Sequence, residues 1–437
     1  MPGQDSRRTI DLLKGYPNPS LLPAQAISDA ARTILADKVV STPALLYGAD
    51  EGYLPFRQAI ADWNTSFYGR KVTTDNVVIS GGASQNLACV LQVFSDPLYT
   101  QNVWIVSPAY MLVFRIFQDH GFADKMKAVP EITDGLDIEW LQKQLEQCEQ
   151  HLSQDPMSSK TLKPSRPYSK YYRHILYCVP TFSNPSSTIT SLPRRQALVR
   201  LARQHDMLLI SDDVYDHLQW PSRPAPSFAP LTRALLPRLT DIDAALDGGF
   251  LRPGADGFGN ALSNGSFSKI VGPGVRCGWT DAAPKLAFGV SQAGSSRSGG
   301  CPSQLTSTFI MQLITSGWLG EHIEALQREY AKRYRILREA LEREVLPLGG
   351  RIEEPGEYMG GYFIWIRLPD GVDGDALSVK CKEEEDVVVI SGSLFEVPVE
   401  GRLRHGDHIR LCFAFEEVNV LEEGARRVGR ALRGCLS

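Results

Sequence analysis

Between residues 77 and 280 the sequence alternates short apolar runs with longer segments of helical periodicity. The apolar runs predict strands at Val77–Ile79, Val103–Val106, His174–Val179, Leu208–Ser211, Leu262–Ser266 and Cys277–Thr280. The periodic segments predict helices at Met111–His120, Ile138–Gln150 and Pro193–His205. Strands that alternate with helices of this length form an α/β fold, with a largely parallel sheet covered on both faces. Such sheets bind ligands at the carboxyl ends of their strands.

The pattern changes after a long amphipathic helix predicted from Trp318 to Val345. Beyond it, the predicted strands are Tyr362–Arg367, Val387–Ile390 and His408–Phe413, and the predicted helices are Ala376–Glu384 and Val418–Leu432. We therefore expect an N-terminal arm (1–45), a large domain (46–315) and a smaller α+β domain (316–437). The irregular, proline-rich arm is expected to pack with the smaller domain.

Composition excludes several classes of partner. The chain has 437 residues and a net charge of −4, which gives no electrostatic reason to expect nucleic acid or an anionic membrane as a partner. The first eight residues lack the apolar core of a signal peptide, and no apolar run is long enough to span a bilayer. A cytoplasmic location is the default expectation. The eight cysteines lack metal-ligand spacing, so we expect reduced thiols and no metal site.

Two stretches look inserted. Residues 153–171 are polar and basic, which is typical of a solvated loop. Residues 219–260 are rich in proline, glycine and aspartate, and they separate two predicted strands by more than the usual distance. Neither stretch indicates a function by itself.

The stretch 264–279 (NGSFSKIVGPGVRCGW) combines residue types that few structural roles require together. A lysine whose ammonium is desolvated and partly deprotonated can condense with an aldehyde, and Lys269 is the candidate for this role. Ser266 and Arg276 offer the hydroxyl and guanidinium donors that suit a phosphate. A cofactor carrying both an aldehyde and a phosphate is pyridoxal 5′-phosphate. The alternative is an exposed lysine beside a glycine–proline loop.

Three other predicted strands end in residues that suit the same cofactor. Gly82-Ala83-Ser84 joins a strand to a helix, whose N-terminus is an anion site, or forms an ordinary tight turn. Tyr110 follows the next strand, where its ring stacks on a flat heterocycle or simply packs. Asn184 follows a third strand, where it donates to a phenolic oxygen or caps a turn.

Two carboxylates, Asp212 and Asp213, follow directly after a buried strand. Carboxylates there are costly unless a charged group meets them. We interpret Asp212 as the partner of a protonated pyridine nitrogen and Asp213 as a helix N-cap. Tyr215 is placed to reach the hydroxyl of the same ring.

Arg410 lies inside the apolar strand HIRLCF. An arginine within such a strand needs a bidentate anion, and the carboxylate of a substrate fits this requirement. A salt bridge to an acidic side chain of the protein is an equally open alternative.

Taken in chain order, these motifs resemble the class I/II aminotransferase family of fold-type I pyridoxal-phosphate enzymes. The similarity extends from about Ile10 to the C-terminus, and Ser-Phe-Ser-Lys-x₆-Arg and Asp-Asp-Val-Tyr are its most specific parts. It implies a large domain with a mostly parallel, seven-stranded sheet between helices, followed by a smaller α+β domain. It also implies a homodimer with shared active sites.

The resemblance implies a role for each matching residue. Lys269 matches the Schiff-base lysine and proton carrier, and Asp212 and Tyr215 match its catalytic partners. The residues matching the cofactor site are Tyr47, Gly82, Ala83, Ser84, Tyr110, Asn184, Asp212, Tyr215, Ser266, Lys269 and Arg276. Of these, Tyr47 matches a tyrosine that reaches the phosphate of the neighbouring subunit. The residues matching the substrate site are Gly15, Asn184 and Arg410.

The chain departs from the family pattern at two places. Ala83 stands where many relatives have a hydroxyl residue, so its contact with phosphate would involve the backbone only. The segment containing Arg297 and Cys301 also departs from the family pattern. Either side chain is a candidate for lining the substrate pocket. The identity of the substrate is therefore open.

The function implied is transfer of an amino group between an α-amino acid and a 2-keto acid through the Lys269 Schiff base. Lyases and cyclopropane-forming synthases are an open alternative, because they begin with the same carbanion. A second alternative is an aminotransferase-like transcription regulator, which the segment LLYGADEGYLPFR resembles. It is disfavoured because only 46 residues precede Tyr47, too few for a winged-helix domain.

Overall fold

A computed structural model describes residues 8–152, 160–222, 229–352, 356–399, 401 and 403–436. The strands in these ranges are β1 (Ile10–Asp11), β2 (Val77–Ser80), β3 (Asn102–Ser107), β4 (Met126–Ile132), β5 (Gly135–Leu136), β6 (His174–Cys178), β7 (Met207–Asp212), β8 (Gln219–Pro221), β9 (Ala261–Ser266), β10 (Gly278–Ala282), β11 (Arg351–Ile352), β12 (Tyr358–Gly360), β13 (Phe363–Arg367), β14 (Val387–Val388), β15 (Ile390–Ser391) and β16 (His408–Cys412). The helices are α1 (Ala24–Ala36), α2 (Lys38–Ala44), α3 (Leu54–Tyr68), α4 (Ala83–Phe94), α5 (Leu112–Asp119), α6 (Ile138–Leu152), α7 (Leu192–Gln204), α8 (Leu239–Ala245), α9 (Pro284–Ser291), α10 (Gly294–Arg297), α11 (Gln304–Thr315), α12 (Trp318–Glu344), α13 (Gly374–Glu385) and α14 (Val418–Leu436).

The central sheet has the strand order β2-β10-β9-β7-β6-β3-β4-β5. Strands β9, β7, β6, β3 and β4 pair in parallel, whereas β10 runs antiparallel to both β2 and β9. Six strands therefore point the same way, and their carboxyl ends lie along one edge of the sheet. The mostly parallel α/β sheet predicted from the sequence is confirmed.

Helices cover both faces of this sheet because successive strand residues point to opposite sides. In β3, Val103 and Ile105 belong to one apolar cluster, which also contains Leu87 of α4. The intervening Trp104 and Val106 belong to another cluster, formed with helices α6 and α7. Both faces of the sheet are thus buried against apolar side chains, as expected for a parallel sheet.

A second, four-stranded antiparallel sheet has the order β11-β13-β16-β15 and packs with α12, α13 and α14. The N-terminal segment joins this part of the chain. Strand β1 pairs in parallel with β14, and the Cys412 amide donates to the Leu12 carbonyl O at 2.7 Å. The arm thus contacts the C-terminal elements.

The central sheet contains two strands that the sequence pattern did not reveal. Strand β4 has the sequence MKAVPEI, in which a lysine, a proline and a glutamate break the apolar run. Strand β5 adds a two-residue antiparallel partner to β4, so the sheet has eight strands rather than seven. The segment predicted as one strand at 387–390 is two short strands that pair with different partners.

The two inserted stretches are only partly described. Residues 153–159 and 223–228 lie outside the described ranges. The rest of the first stretch is irregular but anchored, because the Leu162 and Lys163 amides donate to the Asp96 carboxylate. The second stretch contributes α8 and strand β8, which pairs with β12. Within the described residues, no helix is both long and apolar enough to cross a membrane.

Candidate active site

A cavity of about 350 Å³ lies where the carboxyl ends of β6, β7 and β9 meet the N-terminus of α4. Eleven of the residues singled out in the sequence line it: Gly15, Ala83, Ser84, Tyr110, Asn184, Asp212, Tyr215, Ser266, Lys269, Arg276 and Arg410. Residues separated by up to nearly four hundred positions therefore meet in one pocket. This convergence follows from the sheet topology, which brings the parallel strand ends to one edge.

Lys269 lies in the turn that follows β9. Its Nζ donates a hydrogen bond to the Gly15 carbonyl O at 2.8 Å. Burial lowers the pKa of the amine to about 8, because the protein replaces the water that would stabilise its charge. About a tenth of the amine is therefore uncharged at pH 7, and the uncharged form is the one that condenses with a carbonyl.

Asp212 ends β7, and only one of its two carboxylate oxygens has a protein donor. Oδ2 accepts a hydrogen bond from the Tyr177 hydroxyl at 2.7 Å, whereas Oδ1 is buried without a hydrogen-bond partner among the described residues. Burial raises the pKa of Asp212 to about 7, while the Tyr177 hydrogen bond opposes this shift. The second oxygen therefore requires a donor that the pocket itself does not supply.

Asp213 does not cap a helix, so that prediction was wrong. After β7 the chain turns directly towards β8 without forming a helix. The Asp213 carboxylate instead accepts hydrogen bonds from the hydroxyls of Ser211 and Ser263. Asp213 therefore helps to fix the strand end that carries Asp212.

The N-terminus of α4 and Arg276 form a cationic end of the pocket. Gly82 precedes α4 with a φ of +99°, and no side chain caps the helix. A Cβ at Gly82 would lie 2.9 Å from Arg276 Nη2, so glycine permits the guanidinium to approach the helix end. Ser266 and Ser84 add hydroxyls to the wall of the same pocket. This donor set suits a phosphate dianion.

Arg410 projects from β16 into the pocket with spare hydrogen-bonding capacity. Its Nη1 donates to Asn184 Oδ1 at 2.9 Å and its Nη2 to the Leu13 carbonyl O at 2.7 Å. Its Nε is buried and has no partner in the part of the chain that the structure describes, and the guanidinium lies 3.9 Å from the Phe363 ring centroid. Burial lowers its pKa to about 10. Among the described residues no carboxylate forms a salt bridge with Arg410, so the structural alternative from the sequence is not observed.

Besides Asp213, four residues singled out in the sequence lie outside the cavity lining. Gly82 lies just behind Arg276, as described above. Tyr47 is 89% exposed on the loop after α2. Arg297 is exposed near Asp50, with 3.7 Å between Nε and Oδ2. Cys301 is buried, and its thiol lies 3.4 Å from the Ile79 carbonyl O. Within this chain neither Arg297 nor Cys301 lines the pocket.

Other lining residues were not anticipated. Tyr177 lies inside the apolar strand HILYC, where a tyrosine is typical of the core. Leu13, Tyr16, Met111 and Leu112 form an apolar side of the pocket and lie in the arm or at the start of α5. Their positions depend on contacts between distant segments, so no local sequence signal marks them.

The residues present fit pyridoxal phosphate. The pocket offers an amine for the aldehyde, a cationic cradle for the phosphate and a free carboxylate oxygen for the ring nitrogen. Tyr110 lines the same cavity as an aromatic candidate for stacking on the ring. These are the groups a protein needs in order to orient this cofactor and tune its electronics.

Comparison with known proteins gives consistent matches over almost the whole chain. A family model described as aminotransferase class I and II matches residues 17–428. The protein YER152C of Saccharomyces cerevisiae is 34% identical over 442 residues, covering 97% of this chain and 96% of its own. A 2-aminoadipate transaminase of Thermus thermophilus is 28% identical, covering 97% of this chain and 90% of its own.

Solved structures show the same fold. The α-aminoadipate aminotransferase LysN of Thermus thermophilus, complexed with N-(5′-phosphopyridoxyl)-L-leucine, matches with a TM-score of 0.75 and 28% identity, covering 98% of this chain and 93% of its own. The kynurenine aminotransferase of Pyrococcus horikoshii matches in fold with a TM-score of 0.78 and 24% identity, covering 99% of this chain and 92% of its own. Since the family match spans nearly the whole chain, this protein belongs to the class I and II aminotransferases and is a pyridoxal-phosphate-dependent transferase.

Proposed function

We propose that the pocket transfers the amino group of an α-amino acid to a 2-keto acid, with Lys269 as the proton carrier. The observation that carries this proposal is the convergence of Lys269 with two buried polar atoms that lack partners among the described residues, Asp212 Oδ1 and Arg410 Nε. A buried polar atom without a partner needs an explanation, and these two atoms belong to residues that line the same pocket as Lys269, where a bound ligand would supply their partners. Of the relatives named above, the Thermus thermophilus protein is a 2-aminoadipate transaminase, which favours transamination over the lyase or synthase alternative.

Arg410 is proposed to bind the α-carboxylate of the substrate. Its Nη1 and Nη2 are already oriented by Asn184 and Leu13, so little side-chain freedom remains to be lost on binding. Gly15 permits the arm to pass close to the Phe363 ring, over which this guanidinium lies, since a Cβ at Gly15 would lie 2.8 Å from that ring. A clamped carboxylate also fixes the direction of the substrate's α C–H bond, which the pocket needs to present to Lys269.

Lys269 and Asp212 are proposed to divide the acid–base work. When bound, pyridoxal phosphate supplies an electron sink that stabilises negative charge at the substrate's α carbon. The Lys269 amine, with its pKa lowered to about 8, is suited to take a proton from that carbon and return it at a neighbouring position. Asp212 Oδ1 would accept a hydrogen bond from the ring nitrogen and so hold a proton there. Tyr215 and Asn184 would donate towards the ring oxygen.

A homodimer with shared sites is part of the proposal. Leu45, Leu46 and Tyr47 form a consecutive exposed apolar segment, with 65%, 62% and 89% of their surfaces accessible. Exposed apolar runs of this kind favour association. Tyr47 of one subunit would then complete the phosphate site of the other. Mixing Tyr47→Phe and Lys269→Ala chains should restore activity through hybrid dimers, whereas a fully active monomer would contradict shared sites.

The reaction is tested by a single half-turnover. The cofactor-loaded protein is mixed with individual amino acids in the absence of a keto acid, and a productive substrate should bleach the visible cofactor band and leave pyridoxamine phosphate. A nitrogen-15 amino acid and a 2-keto acid should then exchange the label. Lys269→Ala is the matched control. Recovery of the visible band without added keto acid, together with ammonia or a cyclic product, would identify a lyase or synthase instead.

A further inference from the structure

Tyr362 is a fully buried tyrosine that contacts Lys269 from the C-terminal part of the chain. Its hydroxyl donates a hydrogen bond to the Lys269 carbonyl O at 3.0 Å. Its ring centroid lies 5.1 Å from Lys269 Nζ, and the ring packs edge-on against Tyr215 with 5.7 Å between centroids. One side chain therefore contacts the main chain of the lysine, its amine and a neighbouring tyrosine of the pocket.

The backbone around Tyr362 is held tightly on both sides. The preceding Gly361 has a φ of +69°, and its amide donates to the Leu218 carbonyl O at 3.0 Å. A Cβ at Gly360 would lie 2.3 Å from that same carbonyl oxygen, so only glycine allows this approach. The Tyr362 carbonyl O accepts from the Phe413 amide at 3.1 Å. The tyrosine is thus presented to Lys269 by a backbone with little freedom to shift.

Tyr330 of α12 lies behind Tyr362 and offers an internal comparison. The two hydroxyl oxygens are 3.4 Å apart and the ring centroids 5.1 Å apart. Burial raises the pKa of Tyr362 well above its ordinary value, so its hydroxyl remains a neutral donor at any assay pH. Both tyrosines are fully buried, yet only Tyr362 contacts Lys269 among the hydrogen bonds and ring contacts of the described residues.

We propose that Tyr362 is a positioning residue for Lys269, which fixes the main chain of the lysine through its hydroxyl and favours the protonated amine through its ring. This inference rests on the proposed function of Lys269 as proton carrier. Proton transfer requires the amine within a fraction of an ångström of its working position. Binding of the substrate carboxylate depends on Arg410, which Tyr362 does not hold. Loosening the lysine should therefore slow the reaction without weakening substrate binding.

The hydroxyl is tested with Tyr362→Phe, which removes the hydrogen bond to Lys269 and keeps the ring. We expect kcat to fall about tenfold with KM unchanged, because the lysine is displaced by a fraction of an ångström. Tyr330→Phe is the matched control, because it removes a buried hydroxyl of the same cluster without a direct contact to Lys269. Its kcat should stay within about twofold of the wild type. Equal losses in both variants, or an unchanged kcat in Tyr362→Phe, would overturn the proposal.

The ring is tested on the cofactor-free protein with Tyr362→Leu. Competitive acetylation over a range of pH, followed by peptide mass spectrometry, reports the pKa of the Lys269 amine. A cation over an aromatic face is stabilised, so loss of the ring should lower this pKa by about half a unit or more. Tyr362→Phe should leave it unchanged, and an unchanged value in Tyr362→Leu would contradict the role of the ring. If Tyr362→Leu does not fold, the kcat comparison with Tyr330→Phe decides the proposal.

The two readouts separate failure of this inference from failure of the proposed function. If the wild-type protein transaminates no amino acid, the proposed function is wrong. The acetylation profile of Lys269 would still show whether the Tyr362 ring raises the pKa of the Lys269 amine. If the wild-type protein transaminates an amino acid and both Tyr362→Phe and Tyr362→Leu behave as wild type, only the positioning role of Tyr362 is wrong.

Discussion

The protein contains two groups of buried charge that are built in opposite ways. The pocket charges are Lys269, Asp212 and Arg410. The Arg238 cluster consists of Arg70, Arg238, Asp241 and Asp281. In the cluster, each guanidinium bonds to both carboxylates, at N–O distances between 2.6 and 2.9 Å. In the pocket, Asp212 and Arg410 each retain a buried atom without a partner among the described residues.

This difference distinguishes buried charges that stabilise the fold from buried charges that are available to a ligand. Removing charges from water is costly, and the Arg238 cluster offsets that cost internally through paired charges and hydrogen bonds. Its partners also raise the pKa of Arg238 well above the ordinary value, whereas burial lowers that of Arg410 to about 10. In the pocket, part of the desolvation cost of Asp212 and Arg410 is not offset by protein partners. A bound ligand would supply the missing hydrogen-bond partners. The comparison therefore predicts that substitutions in the two groups affect different observables.

The largest effect is expected for Lys269→Ala. Without the amine there is no proton carrier, and turnover should fall by about 10⁴-fold. The free energy of unfolding of the cofactor-free protein should not decrease, because the buried amine has no carboxylate partner in the described structure. Steady-state kinetics and denaturant unfolding measure the two quantities. A variant that loses stability along with activity would place Lys269 in the structural group.

The next effect compares two buried arginines changed to the same residue. Arg238→Met leaves Asp241 and Asp281 short of a partner, and should lower the free energy of unfolding by about 3–5 kcal/mol. Arg410→Met leaves no carboxylate unpaired among the described residues, so its stability should be close to that of the wild type. Its KM for the amino acid should rise sharply. Similar unfolding curves for the two variants would contradict the distinction.

A smaller effect is expected at Asp212, and it depends on pH. The pKa of Asp212 is raised from 3.8 to about 7, so the folded protein binds the proton more tightly than the unfolded chain. Ionised Asp212 therefore lowers the free energy of unfolding. This loss of stability is absent below about pH 4, grows as pH rises to 7 and is constant above pH 7. Asp212→Asn should therefore stabilise the cofactor-free protein by about 2–4 kcal/mol at pH 8 and hardly at all at pH 4. Unfolding at both pH values measures this, and a destabilised variant at pH 8 would contradict it.

The smallest effect is expected for a surface ion pair. Arg200 and Asp247 lie 2.9 Å apart between Nε and Oδ2, and each side chain is about half exposed. Exposed pairs contribute little because water and salt screen them. Arg200→Ala should change the free energy of unfolding by less than about 0.5 kcal/mol. A loss as large as that of Arg238→Met would show that pairing geometry, rather than burial, dominates.

The sequence predicted those parts of the molecule that local patterns encode. Apolar strands such as β6 and β7 and the motifs at their ends were recognised, because strand and turn signals are local. Strand β4 was missed because Lys127, Pro130 and Glu131 interrupt the apolar run that would otherwise predict a strand. Asp213 was misassigned because its partners, Ser211 and Ser263, come together only when β7 pairs with β9.

Two tyrosines that contact Asp212 or Lys269 were also not predicted from the sequence. Tyr177 and Tyr362 lie in apolar stretches, where a tyrosine is ordinarily a core residue. Their hydroxyls acquire a role only through contacts across the sheet or from the C-terminal sheet to Lys269. Such contacts between distant segments leave no periodicity or spacing in the sequence. The predicted role of Tyr47 also depends on a second subunit, which the fold of one chain does not test.

The most direct test of the central claim is to trap the cofactor on the protein. Purified protein is loaded with pyridoxal phosphate, reduced with borohydride, digested and mapped by mass spectrometry, with Lys269→Ala treated in parallel. The stable phosphopyridoxyl label should be found on Lys269, and the variant should carry none at this peptide. A label on another lysine, or no label with excess cofactor, would contradict the assignment of the pocket charges as the cofactor site.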